Sequence, residues 1–241
     1  MDDTAASRPP GQPIPGRRHL LLVVLAGTSG ALDAFGFLAL GGVFASVMTG
    51  NLVLLGLGAG TRAGSLAAHA AVAIGAYAAG VLVGARSARG RRPADDGGWS
   101  RRLQVLVLVE LLLVAGVALA WQVVPHRAST GSQLALVAAA AGAMGLQSAT
   151  VRIATGNGLS TTYLTGTLTG VAMAVVDGGR LRQEWEGLSV LGAALLGAGV
   201  AGAVVSAWSA AGPLLPLVLL VAALLVGRTL VPGGRTGPLP A

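Results

Sequence analysis

Residues 103–121 read LQVLVLVELLLVAGVALAW, and Glu110 is the one charged residue in this run. A helix needs about 20 mostly apolar residues to cross the hydrocarbon core of a bilayer. Five further stretches have this character, and two shorter ones are rich in Gly, Ser and Thr. The long stretches are His19–Leu40, Leu66–Gly84, Leu103–Trp121, Gln133–Ala149, Leu188–Trp208 and Leu214–Val231, and the short ones are Val43–Ala59 and Leu159–Val176. The sequence therefore predicts an all-α, polytopic transmembrane helical bundle.

Composition supports the same class and excludes several others. Of 241 residues, 54% are hydrophobic and only 10% are charged, whereas a soluble domain carries about 25% charged residues. The net charge of +7 comes from arginines in short loops between apolar runs, where the positive-inside rule accounts for them, so we expect no nucleic-acid partner. The chain has no cysteine, no P-loop, no Gly-x-Ser-x-Gly elbow and no cluster with metal-ligand spacing. We therefore expect no enzyme activity, no cofactor and no metal site.

Arginine placement selects between two topologies. With eight spans and a cytoplasmic N-terminus, the loop Arg86–Arg102 with its six arginines would lie outside, against the positive-inside rule. With six spans and two short re-entrant or broken helices, that loop and both termini are cytoplasmic, and only Arg62 and Arg127 lie outside. We favour six spans, with eight as the alternative, in a bacterial inner membrane.

The two short segments resemble each other. Residues 42–51 read GVFASVMTGN and residues 158–167 read GLSTTYLTGT, with Gly, Ser/Thr, Thr and Gly at the same spacing. With one gap, Gly30-Ala-Leu-Asp-Ala34 also matches Gly145-Leu-Gln-Ser-Ala149. Each half then holds three spanning helices and one short segment, so the halves have opposite orientations. Inverted repeats with interrupted segments at matching positions point to a transporter-like site, although Gly, Ser and Thr also serve helix packing.

The predicted domain organisation follows from these runs. We expect one transmembrane domain over residues 19–231, with repeat 1 at about 19–122 and repeat 2 at about 133–231. Residues 1–18 and 232–241 are rich in Pro and Gly and are expected to be disordered tails, the first of them cytoplasmic.

Ionisable residues inside the membrane are few, and each is a functional hypothesis. Asp33 and His69 are predicted at about the same depth in the outer half, where they could pair. Glu110 lies in the inner half of its helix, flanked by Leu and Val. It is either a proton relay or a structural acid bonded to a neighbouring helix.

The candidate substrate or ion site combines these residues with the interrupted segments. Hydroxyls, an amide and freed backbone groups there could coordinate a small solute or ion, provided that they line a buried or wet cavity. The predicted binding residues are Asp33, Thr49, Gly50, Asn51, His69, Gln147, Thr165, Gly166 and Thr167. Asn157, between two glycines, is interpreted as a turn residue.

The motifs resemble those of the YoaK family of bacterial membrane proteins. The first half of the family is matched by residues 30–34 (GALDA), 37–44 (FLALGGVF) and 48–51 (MTGN), and the second by 145–149 (GLQSA), 160–162 (STT) and 164–167 (LTGT). The resemblance runs from about Leu20 to Val231. It departs at Ser148, where the family usually has Asn after its Gln. The resemblance implies a polytopic inner-membrane protein with six spans and supplies no substrate.

Two functions remain open on the sequence. The first is a small-solute or ion transporter with its site between the halves and Asp33 as gate or ion coupler. The second is a non-transporting scaffold or assembly protein, which predicts a fully packed bundle; an intramembrane enzyme comes third. The expected partners are the lipid bilayer and a small solute or ion, and a homo-oligomer is left open.

Overall fold

A computed structural model describes residues 16–88, 99–123, 130–155, 164–176 and 185–230. Within these ranges the chain forms eight α-helices and one short 3-10 helix, and no strand. Their bounds are α1 Gly16–Ala39, α2 Met48–Gly60, α3 Gly64–Ala88, α4 Arg101–Val123, α5 Thr130–Thr155, α6 Leu164–Val176, α7 Trp185–Ala207, the 3-10 turn Ser209–Ala211 and α8 Leu214–Arg228. The predicted all-α polytopic bundle is confirmed.

Six of these helices are long and apolar enough to cross a membrane, and they are the six predicted from the long runs. Large apolar side chains cover their outer faces. Leu112 and Leu119 on α4 and Leu195 and Leu196 on α7 are all more than 60% exposed. A protein in water rarely leaves such continuous apolar surface open, so these faces are suited to lipid.

Helix α2 is too short to cross the bilayer, and the part of α6 that the structure describes is equally short. Each has 13 residues, which span about 20 Å at 1.5 Å per residue, against about 30 Å of hydrocarbon. The structure therefore favours six spans over eight. The predicted start of the first short helix at Val43 is wrong, because α2 begins only at Met48. Gly41 and Gly42 have φ of +89° and +78°, and they turn the chain into a loop of residues 40–47 before α2.

Helix packing repeats between the halves and exchanges partners between them. The most extensive pairings are α1 with α7 and α3 with α5. When α1, α2, α3 and α4 are matched to α5, α6, α7 and α8, these two pairings are equivalent. By the same matching, the contact of α4 with α5 corresponds to that of α8 with α1, and the contact of α2 with α3 corresponds to that of α6 with α7. The predicted inverted repeat is thus visible in the packing, and each half completes its core with a helix of the other.

Glycines make the two exchanged pairings close, and they do so at equivalent positions. A Cβ on Gly30 would overlap the carbonyl of Ala194 on α7, and one on Gly145 would overlap the carbonyl of Tyr77 on α3. Small residues allow backbones to approach in this way inside membranes. The match of Gly30 with Gly145 agrees with the sequence repeat.

Helices α1 and α5 are the most buried spans, and the other four surround them. Some predicted features lie outside the described residues. They are residues 1–15 and 232–241 of the two predicted tails, Arg89, Arg91 and Arg92, Asn157 and the Ser-Thr-Thr run at 160–162.

Candidate functional site

Asp33 is the centre of a buried hydrogen-bond chain between α1 and the 40–47 loop. The Ser46 amide donates to Asp33 Oδ1 at 2.6 Å, and the Ser46 hydroxyl donates to Oδ2 at 2.5 Å. Ser29, one helical turn before Asp33, donates its hydroxyl to Ser46 Oγ at 2.8 Å. All three residues are at most 9% exposed. A helix carboxylate therefore accepts from both polar groups of one loop residue and fixes that loop inside the bundle.

Asn51 fixes the same loop from the other side. Its Oδ1 accepts from the Phe44 amide at 2.9 Å, and its Nδ2 donates to the Phe44 carbonyl at 2.7 Å. The side chain is fully buried. Because both polar atoms of the amide pair with one backbone residue, Asn51 holds the turn that precedes α2. Gly50 leaves room for the Phe44 ring, since a Cβ there would lie 3.1 Å from it.

His69 lies beneath the first turn of the 40–47 loop. Its Nδ1 lies 2.7 Å from the Ser65 carbonyl and therefore carries the proton. Its Nε2 is buried and has no hydrogen-bond partner within the described ranges. A Cβ on Gly41 would lie 2.6 Å from the imidazole Cδ2, so a glycine is required above the ring. The predicted pairing of Asp33 with His69 is wrong, because Ser46 occupies the carboxylate oxygens and Ser65 occupies Nδ1.

Gln147 connects the two halves at the centre of the bundle. Its Nε2 donates to the Leu25 carbonyl on α1 at 3.0 Å, and the side chain is fully buried. This contact joins α5 to α1, the two central helices. It lies on α5 and takes no part in the Asp33 chain.

The two Thr-Gly segments are not brought together. Helix α2 packs on α3 and helix α6 on α7, and α2 with α6 is absent from the helix pairs in substantial contact in the described residues. Thr49 and Thr165 are exposed, and Gly166 and Thr167 are half-buried. The expectation that the segments face each other across one polar site is therefore not met by this packing. The reason is that each short helix packs within its own half, α2 on α3 and α6 on α7, and not at the interface between the halves.

Helix α6 borders an open groove of about 390 Å³ with a mostly apolar lining. The lining residues are Leu168, Thr169, Ala172, Met173 and Val176, all on one helix. The groove is not the predicted polar site, because Thr169 is its one polar side chain and that hydroxyl already donates to the Thr165 carbonyl at 3.0 Å.

Glu110 is isolated from the Asp33 cluster. It lies on α4, is 1% exposed, and neither carboxyl oxygen has a hydrogen-bond partner within the described ranges. Helix α4 packs against α5 and α8 of the other half. The predicted alternative of a structural acid bonded to a neighbouring helix is therefore not formed.

Sequence reasoning missed the two serines of the Asp33 chain. Ser29 precedes Asp33 by four residues and so shares its helix face, which was a usable signal. Ser46 is part of the repeated segment, but only its packing on α1 shows that its amide and hydroxyl meet the carboxylate. In the described ranges no three His, Asp or Glu side chains come together as a metal site.

The fold and the buried polar groups define a class: a multi-pass helical membrane protein built from two inverted halves, with a loop anchored inside the bundle. Residues 21–227 match the family described as "Protein of unknown function (DUF1275)", and the chain belongs to that family.

A relative in Bacillus subtilis (strain 168), the UPF0700 transmembrane protein YoaK, is 32% identical over 152 residues. The match covers 63% of this chain and 64% of that relative, which is less than two thirds of its length. The resemblance to the YoaK family is thereby confirmed. No solved structure matches the chain.

Proposed function

We propose that the protein is a small-solute or ion transporter of the bacterial inner membrane, with both termini in the cytoplasm. The observation that carries the proposal is the exchange of helices between inverted halves, in which α1 packs on α7 and α3 on α5. Transporters built from inverted repeats place their sites at the repeat interface and move one part against the other.

The polar groups at this interface support the proposal. The Ser29–Ser46–Asp33 chain is buried between α1 and the 40–47 loop, and Gln147 joins α1 to α5 of the other half. Buried polar groups in a membrane are expensive and mark pathways more often than packing alone. The arginines at both ends of the α3–α4 connection support the orientation, since cytoplasmic loops are enriched in Arg.

A scaffold or assembly protein is the second candidate. The backbone-to-backbone packing at Gly30 and Gly145 favours it, because such close contacts form a rigid interior. The two functions differ in one observable property: a transporter admits water to the interior from each side in turn, whereas a scaffold admits it from neither.

Thiol accessibility separates them, because the chain contains no cysteine. Single Ser29→Cys and Gln147→Cys variants, both at buried positions, in cells or oriented vesicles are treated with a membrane-impermeant maleimide from each side. Transport predicts labelling of both interior thiols, each from at least one side, with rates that change when the pH or ion gradient is reversed. If neither thiol reacts from either side, the transporter proposal fails and the scaffold is favoured.

Matched controls set the limits of that assay. Arg62→Cys, exposed between α2 and α3, should react from outside, and Arg101→Cys, exposed at the start of α4, from the cytoplasm. Leu112→Cys, 63% exposed on the lipid-facing surface of α4, should react with neither application of the charged reagent. Labelling of Arg101→Cys from outside would overturn the orientation.

A further inference from the structure

Glu110 is a buried acid that nothing in the described structure satisfies. The side chain is 1% exposed, and neither Oε1 nor Oε2 has a hydrogen-bond partner. Asp33, the other buried acid among the described residues, has both oxygens occupied by Ser46. The two acids therefore have different roles: Asp33 holds the 40–47 loop by hydrogen bonds, whereas Glu110 makes no hydrogen bond that would stabilise the fold.

The surroundings of Glu110 are apolar. Its neighbours one turn away on α4 are Leu106, Val107, Leu113 and Val114. Helix α8, which packs on α4, has no polar side chain from Leu214 to Gly227. The titratable groups on helices packed against α4 are His69, Tyr77 and Arg86 on α3, Arg152 on α5 and Arg228 on α8. None of them donates to Glu110, because both of its oxygens are without partners.

This environment selects among the ions that a carboxylate could bind. An unpaired ionised carboxylate is strongly disfavoured where no donor or cation compensates it. A bound metal cation needs several oxygen ligands at once. The adjacent turns of α4 and the whole of α8 up to Gly227 offer no side-chain oxygen for that purpose. A proton needs only the carboxylate itself.

We infer that Glu110 is a proton-binding site, neutral in this closed arrangement, that releases its proton to water when the halves separate. The step is a simple transfer: the O–H bond of the acid breaks, water takes the proton as hydronium, and the carboxylate remains hydrated until reclosure returns a proton. The inference deepens the proposed transport function and rests on it for its role, because it names a proton as the coupling ion. One acid of this kind in the described helices gives one coupling proton per cycle.

The position of Glu110 connects its protonation to movement of the halves. Helix α4 belongs to the first half and packs on α5 and α8 of the second. Near one end of α4, Gln104 Nε2 donates to the Leu224 carbonyl of α8 at 2.6 Å and holds the two helices together. Separation of α4 from α5 and α8 would expose its buried face, which holds Glu110, to water. An ionised Glu110 would then resist reclosure.

Infrared spectroscopy of the full-length protein in lipid tests the proton site without a known substrate. A neutral carboxylic acid has a C=O band separate from that of carboxylates. At neutral pH we expect such a band in the wild type, a shift of it with carbon-13-labelled glutamate, its loss in Glu110→Gln and its retention in Asp33→Asn. We also expect it to fall reversibly as the pH is raised. The isotope shift identifies a glutamate in the wild type even if the Gln variant does not fold.

Two results would overturn the inference: no glutamate acid band at neutral pH, where ordinary glutamates are ionised, or a band that stays constant from neutral to alkaline pH. Its failure differs from that of the proposed function. If both interior thiols react, each from at least one side, while the Glu110 band is constant, transport survives and the proton site fails. If the band titrates while neither thiol reacts, the proton site stands and transport fails.

Discussion

Replacement of Gly197 by alanine should measure how tightly the two halves are packed. A Cβ at this position on α7 would overlap the carbonyl of Gly27 on α1, so the new methyl meets backbone and no rotamer change can relieve it. Overpacking of a filled interior costs about 1–3 kcal/mol. Because the obstructing atom is backbone, we expect about 2–3 kcal/mol.

The assay is thermal unfolding of the purified protein in detergent, followed by loss of the monodisperse species. A change of 1 kcal/mol corresponds to about 2–4 °C in Tm for a protein of this size, so Gly197→Ala should lower the Tm by roughly 4–12 °C. Gly192 and Gly199 on the same helix have nothing within 4 Å of an added Cβ. Their alanine variants control for helix propensity and should leave the Tm unchanged or raise it.

The repeat makes the same prediction in the other half. Gly80→Ala on α3 should match Gly197→Ala, because its Cβ would overlap the carbonyl of Gly142. Gly142→Ala should be mild, since the nearest atom, the Ala76 carbonyl oxygen, is 3.7 Å from the added Cβ. If Gly197→Ala and Gly192→Ala have the same Tm, or if Gly142→Ala is as damaging as Gly80→Ala, the packing account of the exchanged helices is refuted.

Two further predictions concern the 40–47 loop. Asn51→Ala should cost about 2 kcal/mol, because it leaves the Phe44 amide and carbonyl without their side-chain partner. Its Tm is compared with that of exposed Thr49→Ala, which should be near wild type, and equal values would contradict a structural role for Asn51. Gly41→Ala should destabilise both through its φ of +89° and through contact with the His69 ring. In a His69→Ala background only the backbone cost of Gly41→Ala, about 1–2 kcal/mol, should remain. If the double variant loses as much Tm as the two single variants added together, the contact between residue 41 and the His69 ring is refuted.

The spans could be predicted from the sequence because one physical quantity, apolar length, decides them. The apolar run Leu103–Trp121 is long enough to require a membrane-spanning helix. The observed helix α4, Arg101–Val123, is longer by two residues at each end. The start of α2 was missed because it depends on backbone conformation at Gly41 and Gly42 and on the Asn51 side chain. Apolarity alone continues through Val43 and gives no signal for that turn.

The candidate site was predicted in part. Burial of Asp33, Asn51, His69 and Glu110 follows from their positions in apolar segments. The partner of Asp33 could not be predicted, because pairing with Ser46 depends on how the loop folds back onto α1 and not on equal depth with His69. The separation of the two Thr-Gly segments could not be predicted either, because it depends on each short helix packing within its own half.

The exchange of helices between halves also has a consequence for synthesis of the chain. The glycine face of α1 finds its partner only when α7 emerges, more than a hundred residues later. At about 5–20 residues per second, the nascent first helix waits roughly 10–30 s with its small-residue groove unfilled. During that interval the insertion machinery or its lipid surroundings must shield the groove, and a ribosome that stalls before α7 would leave an orphaned half-protein for membrane quality control to remove.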